Sequence, residues 1–188
     1  RIILFNNPKI RNFAVRNLYG TAFICAKPND SIVYFLEEIV HQCSHNAFNA
    51  ITANLTAFFK INPETPLKQF SKQNWDYRSI YNALHGLYTI AARLDCFDKC
   101  LDNIDGMAKL ELIGRFADLR KRYRNGLETL DLEKVFTDSG SQLYKLLDEF
   151  CEKTFHKRAH LINKFDFSNQ PSEFDAQRFF ELNSIQKI

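Results

Sequence analysis

The chain lacks a charge imbalance: over 188 residues its formal net charge is only +3. Nothing global therefore marks it as a binder of nucleic acid or of an anionic membrane surface. Paired cysteines are lacking too. Cys25, Cys43, Cys96, Cys100 and Cys151 are odd in number and form neither a C-x-x-C pair nor a secreted spacing, which points to a reducing, cytoplasmic setting. No run is long and apolar enough to span a bilayer, no signal peptide opens the chain, and no internal repeat or low-complexity tract occurs. The first residue is Arg1 rather than Met, in the strand-like Ile2-Ile3-Leu4-Phe5, which is compatible with further residues upstream.

What is present is apolar and aromatic. A hydrophobic share of 45% with eighteen Phe supports a sizeable core, and the length suits one domain. Residues 1–30 read as a small β element, with strands over Arg1–Phe5, Phe13–Arg16 and Thr21–Ala26 punctuated by Asn6-Asn7-Pro8 and Asn17-Leu18-Tyr19-Gly20. Asp30 or Ser31 then caps a long helix over 31–60, which Asn62-Pro63-Glu64-Thr65-Pro66 ends. A polar loop, Lys68–Asp76, holds the only tryptophan, Trp75. A second apolar helix spans 77–94, and the helices of 107–188 follow: Met107–Leu130, one from Thr137 to about Phe165, and a last one opened by Ser172 and Asp175 and running through Glu181. The expected fold is mostly α, an α+β chain with a small N-terminal β element.

The first long helix carries Glu37-Glu38-Ile39-Val40-His41-Gln42-Cys43-Ser44-His45-Asn46, where His41 and His45 stand one helical turn apart. Both imidazoles leave one face and can close on one metal ion, although two hydrogen-bonded core histidines have the same spacing. On a helical wheel Ile32, Phe35, Leu36, Ile39, Val40, Cys43, Ala47 and Ala50 form an apolar side expected to be buried. Tyr34, Glu38, His41, His45, Phe48, Asn49 and Thr52 lie opposite, as the wall of a site. On the second helix Arg78 and His85 are two turns apart, with Tyr81 and Asn82 between them. His85 would complete a three-histidine set, and imidazole suits Fe, Zn, Cu and Ni alike.

Gln42 narrows the chemistry. A zinc peptidase places Glu after the first histidine as general base, and an amide cannot take a proton. Peptide hydrolysis is disfavoured; an oxygenase has no such need, and a neutral amide there can hold a water or a substrate group. Glu38-x-x-His41 also fits half of a di-iron bundle, but the position corresponding to Glu38 before His85 is Asn82, not a carboxylate. Glu38 is read instead as a partner that orients a histidine. His156 and His160 repeat the spacing beside Lys157 and Arg158, which repel a cation, and read as a solvated face. Cys96 and Cys100 read as reduced packing cysteines, and Cys43 as core. Arg115, Arg120, Lys121, Arg122 and Arg124 around Tyr123 read as a solvated basic face, or as a dock for an acidic leader peptide or carrier domain. Trp75, Tyr77, Tyr81 and Tyr88 line a pocket or fill the core.

The ordered series Gly20-Thr21-Ala22-Phe23-Ile24-Cys25, the His41-Gln42-Cys43-Ser44-His45-Asn46 segment, Trp75-Asp76-Tyr77-Arg78, Ala83-Leu84-His85-Gly86 and Phe136-Thr137-Asp138-Ser139-Gly140 resembles the α-ketoglutarate-dependent HExxH-type peptide β-hydroxylases, over roughly residues 20 to 150. Gln42 departs from the family's Glu. The resemblance implies Fe(II) bound by His41, His45 and His85. It also implies α-ketoglutarate and O2 as cosubstrates, with Arg78, Tyr81 and Asn82 on the cosubstrate side and Glu38 and Gln42 beside the metal. Arg78 would pair with a carboxylate, which its planar fork can bind bidentately. The implied reaction is hydroxylation of an amino-acid side chain at its β carbon, in a peptide or amino-acid-bearing substrate, with no nucleic acid or membrane partner. The competing readings are a zincin-like metallohydrolase and a degenerate, peptide-binding family member without turnover.

Overall fold

The computed structural model describes residues 1–15, 18–70, 76–123, 129–171 and 173–187; Arg16, Trp75, Arg124 and Ser172 lie outside the described residues. The chain opens with a three-stranded sheet of β1 (Ile2–Phe5), β2 (Phe13–Ala14) and β3 (Ala22–Cys25) in the order β1-β3-β2. β1 runs parallel to β3 and β2 antiparallel to it, with Ile3 and Phe13 both in register with Phe23. Gly20, at φ +71°, supplies the left-handed turn residue before β3. The strands fall within a residue or two of those expected from the β-branched and aromatic runs.

Helix α1 (Ile32–Ile51) begins where Ser31 accepts from the backbone of Tyr34. It ends nine residues short of the expected Lys60. Thr52 donates its hydroxyl back to Phe48 O at 2.7 Å and lies 3.3 Å from the Tyr81 hydroxyl, so a contact with the next helix closes this one. A 3-10 turn at Leu55–Ala57 follows. The buried face of α1 also differs from expectation. Val33, Glu37, Gln42, Ser44 and Phe48 are buried, while Ile32, Cys43, Ala47 and Ala50 of the expected core side are exposed.

α2 (Ile80–Cys100), capped by Ser79, starts later and runs further than expected. α3 (Gly106–Tyr123), α4 (Leu132–Val135), α5 (Asp138–Lys157), α6 (Ala159–Ile162) and α7 (Ala176–Leu182) complete the helices described. The single helix expected from Thr137 to Phe165 is broken at Arg158, whose guanidinium reaches Asp98 at 2.6 Å and Asp102 at 3.2 Å. His156 and His160 therefore stand on different helices. Asp175 caps α7 by accepting from Arg178 N.

α2 is the centre of the core. It packs on α1, α3 and α5, and Leu84, Leu94 and Phe97 along it are fully buried. Asn12 ties the sheet to α1: it accepts from Cys25 N at 2.6 Å and donates to the Tyr34 hydroxyl at 3.0 Å. Asn46, beside His45, donates to Thr21 O at 3.1 Å, where β3 is about to begin.

The Thr137-x-x-Gly140 segment has a local physical reason. Thr137 accepts from Gly140 N to cap α5, while its hydroxyl donates to Ala57 O at 2.6 Å and its backbone N–H to Phe58 O. A Cβ on Gly140 would lie 2.1 Å from Phe58 O, a backbone atom that cannot swing aside. Gly140→Ala is therefore expected to cost about 1–3 kcal/mol through overpacking, read as a lowered Tm in thermal unfolding followed by circular dichroism.

Candidate functional site

Helical spacing sets His41 and His45 on one face of α1, and the packing of α2 against α1 brings in His85. His41 Nε2 and His45 Nε2 are 3.1 Å apart, and His45 Nδ1 lies 2.6 Å from His85 Nε2. The three rings form a chain with His45 in the middle. Among the described residues no group of three His, Cys, Asp or Glu is set out as a metal-ligand cluster. Phe48 stacks on His85 at 4.7 Å and 9°, and Tyr81 meets it edge-on at 5.5 Å. Tyr81 is itself fixed, its hydroxyl donating to Asn49 Oδ1 at 2.6 Å.

Burial holds both α1 histidines neutral. Desolvation, with the positive charge of Arg93 behind it, lowers the His41 pKa to about 2 and that of His45 to about 4. At neutral pH each ring therefore keeps one unprotonated nitrogen, the form in which imidazole ligates a metal. Glu38 Oε2 lies 3.9 Å from His41 Nδ1 and accepts from Gln42 Nε2 at 3.3 Å. Burial raises the Glu38 pKa, and a hydrogen bond from Asn12 opposes the rise. Gln42 is 3% exposed, and its Oε1 has no hydrogen-bond partner among the described residues.

The remaining expected residues are placed differently. Arg78 precedes α2 and is not on a helical face with His85; its Nη2 and Nε hold Asp76 at 2.6 and 3.0 Å. That pairing, led by the hydrogen bond from Arg78, keeps the Asp76 carboxyl below its usual range. Asn82 is exposed in the first turn of α2, its backbone N–H donating to Ser79 Oγ. Tyr77 is exposed and lies under Lys68, while Tyr88 meets Phe48 at 5.3 Å. Cys43 is exposed rather than core, and burial pushes the Cys96 thiol up to about 11.

A buried ion network escaped the sequence reading. Glu37 bridges Arg93 of α2 at 3.0 Å and Arg115 of α3 at 2.5 Å; Arg115 also holds Glu111 at 2.7 Å, and Ser31 donates to that carboxylate. All four charged residues are at most 7% exposed. Burial opposes the charge on Arg115, but Glu37 and Glu111 outweigh it and its pKa rises. Arg115 therefore does not belong to a solvated basic face. Nearby, Arg122 pairs with Asp118 at 2.5 Å and Arg120 donates to Asn163 at 3.0 Å. The signal available was Arg93, a lone charge in the apolar run Thr89–Leu94, together with the i,i+4 spacing of Glu111 and Arg115.

Gly86 follows His85 inside α2, and a Cβ there would meet nothing within 4 Å. Gly86→Ala is expected to raise stability by up to about 1 kcal/mol from helix propensity, a Tm gain of about 2–4 °C. A groove of about 420 Å³ lies elsewhere, lined by Asp138, Ser141, Gln142, Lys145, Leu146 and Glu149 of α5 alone, and it includes none of the histidines. No protein-family model matches the chain, and no curated protein matches it.

Proposed function

We propose that the chain is an Fe(II)- and α-ketoglutarate-dependent oxygenase that hydroxylates an amino-acid side chain at its β carbon, within a peptide substrate. The observation that supports it most is the contact of three imidazoles from two helices, forty residues apart, with His41 and His45 kept neutral. The donor set fits iron in kind, and two Nε2 atoms 3.1 Å apart suit neighbouring ligands of one ion, whereas His85 Nε2 faces His45 Nδ1 and would have to turn toward the other two to join them. Iron with α-ketoglutarate and O2 supplies the oxidising power for hydroxylating a C–H bond.

The chain's own residues supply the setting. His41, His45 and His85 would hold the ion. Glu38, steadied by Gln42, lies 3.9 Å from His41 Nδ1, where a small approach would let it accept from that nitrogen and leave Nε2 as the ligating atom. Phe48 and Tyr81 wall His85 and limit water on that side. Gln42 cannot act as a base, which weighs against the zincin-like route. Arg78 already binds a carboxylate, that of Asp76. A keto-acid carboxylate would compete for the same fork.

One observation favours the reading without turnover. His45 spends both ring nitrogens on its neighbours, so the three rings can satisfy one another without an ion. The two readings separate in a peptide-library incubation with Fe(II), α-ketoglutarate and O2, read by succinate release and a mass gain of one oxygen. The oxygenase reading expects both products, lost on His45→Ala, with Arg78→Ala raising the KM for α-ketoglutarate. Iron uptake without either product would overturn it.

A further inference from the structure

The first thirty residues differ from the rest of the chain in two independent respects. They carry five cationic side chains, Arg1, Lys9, Arg11, Arg16 and Lys27, against the single carboxylate of Asp30, so the rest of the chain is slightly acidic. They also hold Ile2, Leu4, Ile10, Val15, Leu18 and Tyr19, each between 37% and 74% exposed. Among the described residues Arg1 adjoins β1, Lys9 and Arg11 lie in the connection from β1 to β2, and Lys27 follows β3, so charge and apolar exposure share the small sheet and its connections.

β1 lies at an edge of that sheet, with β3 on one side, and among the described residues nothing pairs with its other side. The carbonyls of Arg1 and Phe5 accept from Ala22 and Ala26 of the β3 segment. By the two-residue alternation of a strand, Ile2 and Leu4 turn their N–H and C=O groups outward. Native edges are commonly guarded by a charge, a proline or a bulge. Ile2-Ile3-Leu4-Phe5 contains none of these. Both of its faces are apolar: Ile2 and Leu4 are 45% and 59% exposed, while Ile3 and Phe5 share the other face with Phe13 and Phe23, whose rings stack at 4.5 Å.

We propose that β1 receives an extended acidic segment of another polypeptide, added as a fourth strand beside Ile2–Phe5, its carboxylates facing the exposed cations Arg1, Lys9, Arg11 and Lys27. Strand addition takes its affinity from main-chain hydrogen bonds and its selectivity from alternate side chains. Charge decides the occupant. A second copy of β1 would bring the same cations to the edge and be repelled, whereas an acidic strand is drawn in. A carboxylate is already drawn to this surface, since Glu173 sits 3.4 Å from Arg11 across an exposed pair. The proposal does not depend on the histidines holding iron.

The test uses the full chain and two short fluorescein-labelled peptides, one alternating Val with Glu and one alternating Val with Lys, followed by fluorescence anisotropy. The acidic peptide is expected to bind in the micromolar range and to weaken as salt is raised; the basic one is expected not to bind. Leu4→Pro removes an outward N–H while leaving the bonds to β3, and is expected to weaken binding about tenfold. The surface variant Lys9→Glu/Lys27→Glu is expected to do the same, and decides alone if Leu4→Pro alters the circular dichroism spectrum. Equal binding of both peptides, no binding of the acidic one, or indifference to the charge reversal would overturn the proposal. So would a concentration-dependent dimer in analytical ultracentrifugation that Leu4→Pro abolishes, because the occupant would then be a second copy.

Discussion

Glu37→Gln will lower the unfolding free energy by about 3–5 kcal/mol, the cost of leaving a buried charge without its partner. Glu37 is the hinge of the buried network. It contacts Arg93 at 3.0 Å and Arg115 at 2.5 Å, and a neutral amide would leave Arg93 without this carboxylate and Arg115 with that of Glu111. Arg93 suffers most, because its only other hydrogen bond among the described residues is a backbone one, Nε to Thr89 O at 3.2 Å. Folded domains hold only about 5–15 kcal/mol in all, so a Tm fall on the order of 10 °C is expected for a chain of this size. Urea denaturation of Glu37→Gln, Arg93→Met and the double variant checks this. The double variant should cost less than the two singles together, since it removes both charges at once. A loss below about 1 kcal/mol for Glu37→Gln would mean that water reaches the network.

Acidification has the second large effect, and its sign follows from the two neutral histidines. Unfolded, each ring titrates near 6.5; folded, burial holds His45 at about 4 and His41 at about 2. Between pH 6.5 and 4 the unfolded chain binds up to two more protons than the folded one, so stability rises with pH there and falls on acidification. The limiting slope is about 1.4 kcal/mol per pH unit for each ring. Both rings keep some access to solvent, so the expected loss between pH 6.5 and 5 is discounted to about 2–3 kcal/mol. The carboxyls of Glu38 and Asp118, raised by burial, take up protons in the folded state above the usual carboxylate range and offset part of this loss, while the depressed carboxyl of Asp76 acts only at lower pH. Urea midpoints of chelator-treated protein across this interval check the loss, and His45→Gln should roughly halve the slope. A flat response from pH 6.5 to 5 would show that the rings are solvated in the folded state.

The sequence revealed what depends on local rules. Strands bounded by Asn-Pro and Gly signals, the Ser31 cap and the one-turn spacing of His41 and His45 follow from short-range geometry, and each could be read directly. The meeting of His85 with them is a tertiary event forty residues long, which helical spacing suggests but cannot establish. Burial of the wrong-looking face of α1 was not legible. Ile32 and Ala47 face outward while Glu37 turns inward, because its partners Arg93 and Arg115 lie 56 and 78 residues away. The end of α1 was missed for the same reason, since Thr52 contacts Tyr81 across the helix pair. Arg78 was assigned a helical face that the Ser79 cap denies it.

The iron site proposed for His41, His45 and His85 is tested by anaerobic titration of the chain with Fe(II) and then α-ketoglutarate, watched for the weak visible charge-transfer band of a chelated keto acid. A saturable band that His85→Ala abolishes and His160→Ala leaves intact is expected. No band from the native chain, with no Fe(II) retained after desalting, would contradict it and leave the three histidines as a hydrogen-bonded core.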